Sequence, residues 1–109
     1  MKQGNQVQQG QAEITQQSKQ EISISGAVDL ETSPGLMQQA TAFFKNADKK
    51  IHVDLSQVTS SNSAALALIL EMLKQARDNQ IELHFKHLPE TMLTIAKAYG
   101  IDDEIREFT

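Results

Sequence analysis

The chain has 109 residues, 39% hydrophobic and 22% charged, with 14 Asp and Glu against 10 Lys and Arg for a net charge of −4. That length suits one domain, and no apolar run approaches the ~20 residues that a bilayer crossing needs. The Lys and Arg are scattered, so no basic stripe exists to meet a nucleic-acid backbone or an anionic lipid surface.

Cysteine is absent, which removes disulfides, thiolate metal sites and thiol nucleophiles together and fits a reducing compartment. Met1-Lys2-Gln3-Gly4-Asn5-Gln6 has no apolar stretch behind its Lys; no secretory leader is expected, and the cytoplasm is the expected location.

Eight of the first twenty residues are Gln, and residues 1–10 are expected to form a flexible polar tail ahead of one domain over 11–109. A weak strand over 12–16, turned at Gln17-Ser18-Lys19, would pair with the next segment as a hairpin. Ile22 and Ile24 alternate with Ser23 and Ser25 before Gly26, the period of a half-buried strand. Thr32-Ser33-Pro34 then offers a hydroxyl cap with Pro at the first helical position, and Leu36, Ala40, Phe43 and Phe44 share one face of a helix ending near Asn46. Ile51, Val53 and Leu55 alternate with His52 and Asp54 as a second strand.

Ser60-Ser61-Asn62-Ser63 caps a long helix over 63–79. Ile81, Leu83 and Phe85 alternate with Glu82, His84 and Lys86 as a third strand. Pro89 starts a helix carrying Met92, Leu93, Ile95, Ala96 and Tyr99, which Gly100 stops, and a last short helix is expected over 102–108. Strands joined through helices run parallel. Strands buried on both faces would be apolar throughout, so the alternation predicts an α/β fold with helices on one face of the sheet only.

The informative stretch is 51–73. On the long helix Ala65, Ile69, Met72, Leu73 and Ala76 form one stripe that must face the sheet, with Leu66 at its edge. Glu71, Lys74, Gln75 and Asp78 make the opposite side polar, but the first two turns place Ala64, Ala67 and Leu68 outward. Two readings stand: an apolar spot of small residues left for a partner, or the scattered apolar exposure normal on any protein surface. The loop over 59–63 lies at the carboxyl edge of a parallel strand, where open α/β sheets place their sites.

Ser63 occupies the first helical turn, where free N–H groups and the dipole favour a negative group by about 0.3–1 kcal/mol. A phosphate there would be stabilised by its own chain and would add charge to an apolar contact, switching it off. Ser61, Asn62 and Ser63 serve equally well as plain helix caps.

His52 and His84 are expected on the uncovered sheet face, with His87 three residues on, but spacing supplies no third metal ligand. Asp54 is expected to hydrogen-bond its own loop. The five Gly stand apart at 4, 10, 26, 35 and 100, so no phosphate-cradling loop exists, and no His is placed beside Ser63 for a nucleophilic triad. No catalytic residue, cofactor site or metal site is expected.

These residues resemble the STAS domains, a family that includes bacterial anti-sigma-factor antagonists. The family pattern is a strand ending Val-Asp-Leu-Ser, a short loop, Asp-Ser-Ser-Gly or Asp-Thr-Gly-Gly, then Leu-Ala-Leu-Leu. Here stand Val53-Asp54-Leu55-Ser56, Asn62-Ser63-Ala64-Ala65 and Leu66-Ala67-Leu68-Ile69. Asn62 replaces the family's acidic residue, and Ala64-Ala65 its small pair. Leu88-Pro89-Glu90 and Ala98-Tyr99-Gly100-Ile101-Asp102 are similar to the last strand-to-helix junction and the C-terminal helix.

Within the family, the ending Leu93-Thr94-Ile95-Ala96-Lys97-Ala98-Tyr99-Gly100-Ile101 and the stretch from Ser56-Gln57-Val58 to Leu68 resemble the STAS subunits of Mla-type phospholipid ABC transporters. The resemblance implies a STAS-like, mostly parallel four- or five-stranded sheet with an antiparallel N-terminal edge. It further implies a non-catalytic subunit, peripheral to the inner membrane through a partner, the transporter's cytoplasmic ATPase subunit. Thr59, Ser60, Ser61, Asn62, Ser63, Ala64, Ala67 and Leu68 would bind that partner, and Ser63 is the candidate phosphoacceptor. The family's other branch implies an antagonist that binds a Ser/Thr kinase-type anti-sigma factor.

Overall fold

A computed structural model describes residues 12–109; the expected tail over 1–10 lies outside the described residues. The elements in chain order are β1 (Ala12–Ser18), β2 (Glu21–Val28), α1 (Ser33–Lys45), β3 (Lys50–Ser61), α2 (Ser63–Asp78), β4 (Glu82–Lys86), α3 (Glu90–Ala98) and α4 (Asp102–Arg106). The sheet runs β1-β2-β3-β4, with β1 antiparallel to β2 and the remaining neighbours parallel. Four strands are therefore present among the described residues, antiparallel only at the N-terminal edge.

Period-2 alternation sorts the strand residues as expected. Ile22, Ile24, Ile51, Val53, Leu55, Leu83 and Phe85 are buried and join one cluster with Leu36, Ala40 and Phe44 of α1, Ala65, Ile69, Met72 and Ala76 of α2, Met92 and Ala96 of α3, and Ile105 of α4. Glu21, His52, Asp54, His84 and Lys86, which alternate with them, are half-buried, so the helices cover one face and leave the other to solvent. Ser23 is the buried polar residue of the strands, lying mid-sheet between Thr15 and Asp54 in the register.

The structure departs from expectation in three places that bear on the site. First, β3 continues through Ser61, so Thr59, Ser60 and Ser61 belong to a strand and not to a loop. Ser25, Gly26, Ala27 and Val28 pair with Gln57, Val58, Ser60 and Ser61 across two irregularities, while β4 ends at Lys86 opposite Asp54. Backbone pairing with β2 holds this segment extended, although Val58 is its one apolar side chain and no period-2 signal results.

Second, the Thr32 side chain makes no cap to α1. Its hydroxyl donates to the Ala27 carbonyl at 2.8 Å and accepts the Asp29 N–H at 3.0 Å, so it closes the β2–α1 turn.

Third, Leu68, expected to face outward, is buried with 5% exposure. Gln75, two turns further along the same flank of α2, bonds Thr41 of α1 at 2.9 Å. Helix α1 therefore packs on that flank of α2, the flank on which Leu68 is buried. A wheel read against the sheet alone omits this lateral neighbour.

Candidate partner-binding site

The Ser/Asn cluster ahead of α2 divides its tasks. Asn62 is the N-cap, with Oδ1 accepting the Ala64 N–H at 2.8 Å. Ser61 is half-buried, and its hydroxyl shares a hydrogen bond of 2.9 Å with Thr91 of α3. The Ser63 hydroxyl has no hydrogen bond among the described residues, and Ser63 is exposed. Capping thus falls to Asn62, which leaves Ser63 available at the first turn. Replacing Asn62 by Ala should lower stability by about 1 kcal/mol through the orphaned N–H, read as a drop of several degrees in the thermal midpoint.

Burial of Leu68 moves the apolar spot around the helix. The outward stripe of α2 is Ser63, Ala67 and Leu70, followed by Lys74; Leu70 is 41% exposed and Ala67 is exposed, whereas Ala64 is half-buried. Beside this stripe stands Tyr99 at the end of α3, 65% exposed. Ser63, Leu66, Ala67, Leu70, Tyr99 and Ile101 line a shallow dent of about 340 Å³. Its only polar side-chain groups are two hydroxyls, and Ala67 is its smallest side chain. Such a dent has room for one apolar side chain, and the small Ala67 leaves its backbone open to close approach.

Of the eight residues expected at the interface, Thr59, Ser60, Asn62, Ser63 and Ala67 are exposed, Ser61 and Ala64 are half-buried, and Leu68 lies in the core. Leu70 and Tyr99 were not expected at the site. Leu70 lies on the wheel beyond Leu66, away from the flank that α1 covers, and a Tyr directly before a helix-stopping Gly is free of the core-facing turn.

The neighbouring polar groups do structural work. Ser56 N–H donates to Asp54 Oδ1 at 2.9 Å and His87 Nδ1 lies 3.0 Å from the same oxygen. These contacts hold the Asp54 carboxyl below the usual carboxylate range, the Ser56 amide contributing most, against an opposing desolvation. They also tie β3 to the turn at His87, whose φ is +57°. On the open sheet face, the His52 and His84 rings stack at 5.7 Å, and His84 Nε2 bonds Glu82 at 2.6 Å. Among the described residues no three metal-ligating side chains come together, and no helix is long and apolar enough to cross a membrane.

Comparison with known proteins bears on the fold and the family. The family model described as "Mlab, STAS domain" matches residues 12–107. A chain of the Acinetobacter MlaFEDB complex in its ATP-bound Vtrans2 conformation is 33% identical, with a TM-score of 0.69 over 79% of this chain and 90% of that one. The anti-sigma-B factor antagonist of Staphylococcus aureus (strain NCTC 8325 / PS 47) is 26% identical over 89 residues, 82% of each chain. The anti-sigma factor antagonist SpoIIAA in its unphosphorylated form shares the fold at 10% identity, with a TM-score of 0.66 over 84% of this chain and 83% of that one. A family match over nearly all the described residues, on a four-stranded sheet of the expected topology, makes this chain a member of the STAS domain family.

Proposed function

We propose that this chain is a non-catalytic STAS subunit that binds and supports the cytoplasmic ATPase of a phospholipid ABC transporter of the Mla type, which maintains outer-membrane lipid asymmetry. It would lie at the cytoplasmic side of the inner membrane, held there through its partner. The observation that carries this reading is the bare apolar dent along Ser63, Ala67 and Leu70. Its dimensions suit a protein contact and offer no convergent polar groups for a small substrate. The 33% identity to a chain of an MlaFEDB complex supports an ABC transporter as the destination.

Ser63 is the proposed control point. An anion on its side chain would be favoured by the first turn of α2, so the free subunit would tolerate modification. The same charge would be desolvated without a partner inside an apolar contact, a cost of several kcal/mol. Ser63→Glu imitates that change. Titrating wild type and Ser63→Glu against the purified ATPase subunit should show at least roughly tenfold weaker binding for the variant at an unchanged thermal midpoint. Equal affinities would remove Ser63 from the interface.

A second reading, an antagonist that binds a Ser/Thr kinase-type anti-sigma factor, draws on the likeness to the Staphylococcus antagonist. Affinity purification separates the two: an ATPase with its permease supports the first, a kinase-type protein the second.

A further inference from the structure

Leu30 is the most exposed large apolar side chain among the described residues, at 81%. It does not sit on a slack loop. Asp29 Oδ1 accepts the N–H groups of Glu31 and Thr32 at 2.9 and 3.0 Å, and Thr32 Oγ1 accepts the Asp29 N–H and donates to Ala27. The Ser33 N–H closes the turn on the Asp29 carbonyl at 2.9 Å. The bonds to residues 29, 31, 32 and 33 fix the backbone on both sides of Leu30, so its side chain stays in water at the full hydrophobic cost.

The register places this side chain. Val28 pairs with Ser61 where the parallel strands β2 and β3 both end. Leu30 and Asn62 therefore leave the same sheet edge from strands about 4.8 Å apart. Leu30 and Ser63 thus follow neighbouring strands that end at one edge of the sheet, with the dent along Ala67 and Leu70 starting at Ser63.

Charge divides between the two ends of the parallel strands. None of the 10 Lys and Arg falls within residues 28–35, 56–68 or 87–92, the segments that leave this edge, whereas Asp29, Glu31 and Glu90 do. Glu31 and Glu90 are exposed and form no ion pair among the described residues. Thr91 bonded to Ser61 brings Glu90 to the end of β3. Lys19, Lys45, Lys49, Lys50 and Arg77 gather instead at the opposite edge, around the β1–β2 turn, the α1–β3 connection and the end of α2.

We infer that the docking surface extends beyond α2 onto the β2–α1 turn, with Leu30 as an apolar anchor, and that it fits a protein partner presenting a basic face with a pocket for that side chain. This deepens, and rests on, the reading of the partner as an ABC ATPase subunit. Net charge of opposite sign would steer the encounter, and burying Leu30 would set much of the dissociation rate.

The test titrates the purified ATPase subunit with the wild-type chain, with Leu30→Ser and with the double variant Glu31→Lys/Glu90→Lys, at low and high salt. Leu30→Ser should bind roughly ten- to hundredfold more weakly, with the thermal midpoint of the wild type. The double variant should associate more slowly at low salt, and the difference should shrink at high salt. Wild-type affinity for Leu30→Ser, where a charge at Ala67 abolishes binding, would overturn the anchor while leaving the α2 contact standing. Unchanged or faster association of the double variant at low salt would overturn the basic partner face. If the wild-type chain does not bind the ATPase subunit at all, this inference and the proposed function fall together.

Discussion

Leu68→Asp should cost the fold about 4 kcal/mol or more, since it removes a buried leucine and leaves a carboxylate without a partner among apolar side chains. Leu68 is 5% exposed on the flank of α2 that Gln75, two turns on, bonds to Thr41 of α1, so the new charge reaches water only by opening that packing. Against a typical total of 5–15 kcal/mol for a small domain, that loss should lower the thermal midpoint by on the order of 20 °C. Far-UV circular dichroism during heating measures it directly. A midpoint within a few degrees of the wild type would mean that α1 does not cover this flank, and the outward face of α2 would then widen to include Leu68. The distinction matters for any binding experiment, because lost affinity in a variant that is mostly unfolded says nothing about an interface.

Residues 65–68 also show how far the sequence could be read. Period-2 alternation at Ile22/Ile24, Ile51/Val53/Leu55 and Leu83/Phe85 marks both the strands and the single covered face, because each inner side chain meets the helices and each outer one meets water. The stripe of Ala65, Ile69, Met72 and Ala76 is legible for the same reason. Leu68 was not, since its environment is set by α1, an element some thirty residues away whose lateral contact leaves no local signal. The strand at Ser56–Ser61 was hidden differently: its backbone pairs with β2 while every side chain but Val58 is polar, so the backbone decides what the side chains do not announce. The helical wheel marked Ala67 as outward and the first-turn position marked Ser63, and both residues are exposed. Leu30 escaped notice because a single leucine between Asp29 and Glu31 has no periodic partner, and only the network around Thr32 reveals that it cannot fold inward.

Ala67→Glu is the counterpart of the core substitution and should produce the largest effect on binding. The site is an exposed helical position one turn beyond Ser63, where Glu costs only a few tenths of a kcal/mol relative to Ala, so the thermal midpoint should hardly move. In the complex the position changes character. Leu66, Leu70, Tyr99 and Ile101 wall the dent around Ala67, so a partner side chain seated there would be displaced by the new side chain and would leave a carboxylate desolvated beside it. Central, dry positions dominate interface energetics, and an unpaired buried charge there costs about 3–5 kcal/mol, equivalent to at least a hundredfold in Kd. Lys74→Glu lies two turns further along the same stripe and beyond the dent, and it should change affinity only a few-fold, as rim charges do. Calorimetric titration of the ATPase subunit with the three proteins tests the contrast. Wild-type affinity in Ala67→Glu would show that the partner does not touch α2 there, and equal losses in both variants would indicate a diffuse charge effect instead of a fitted contact.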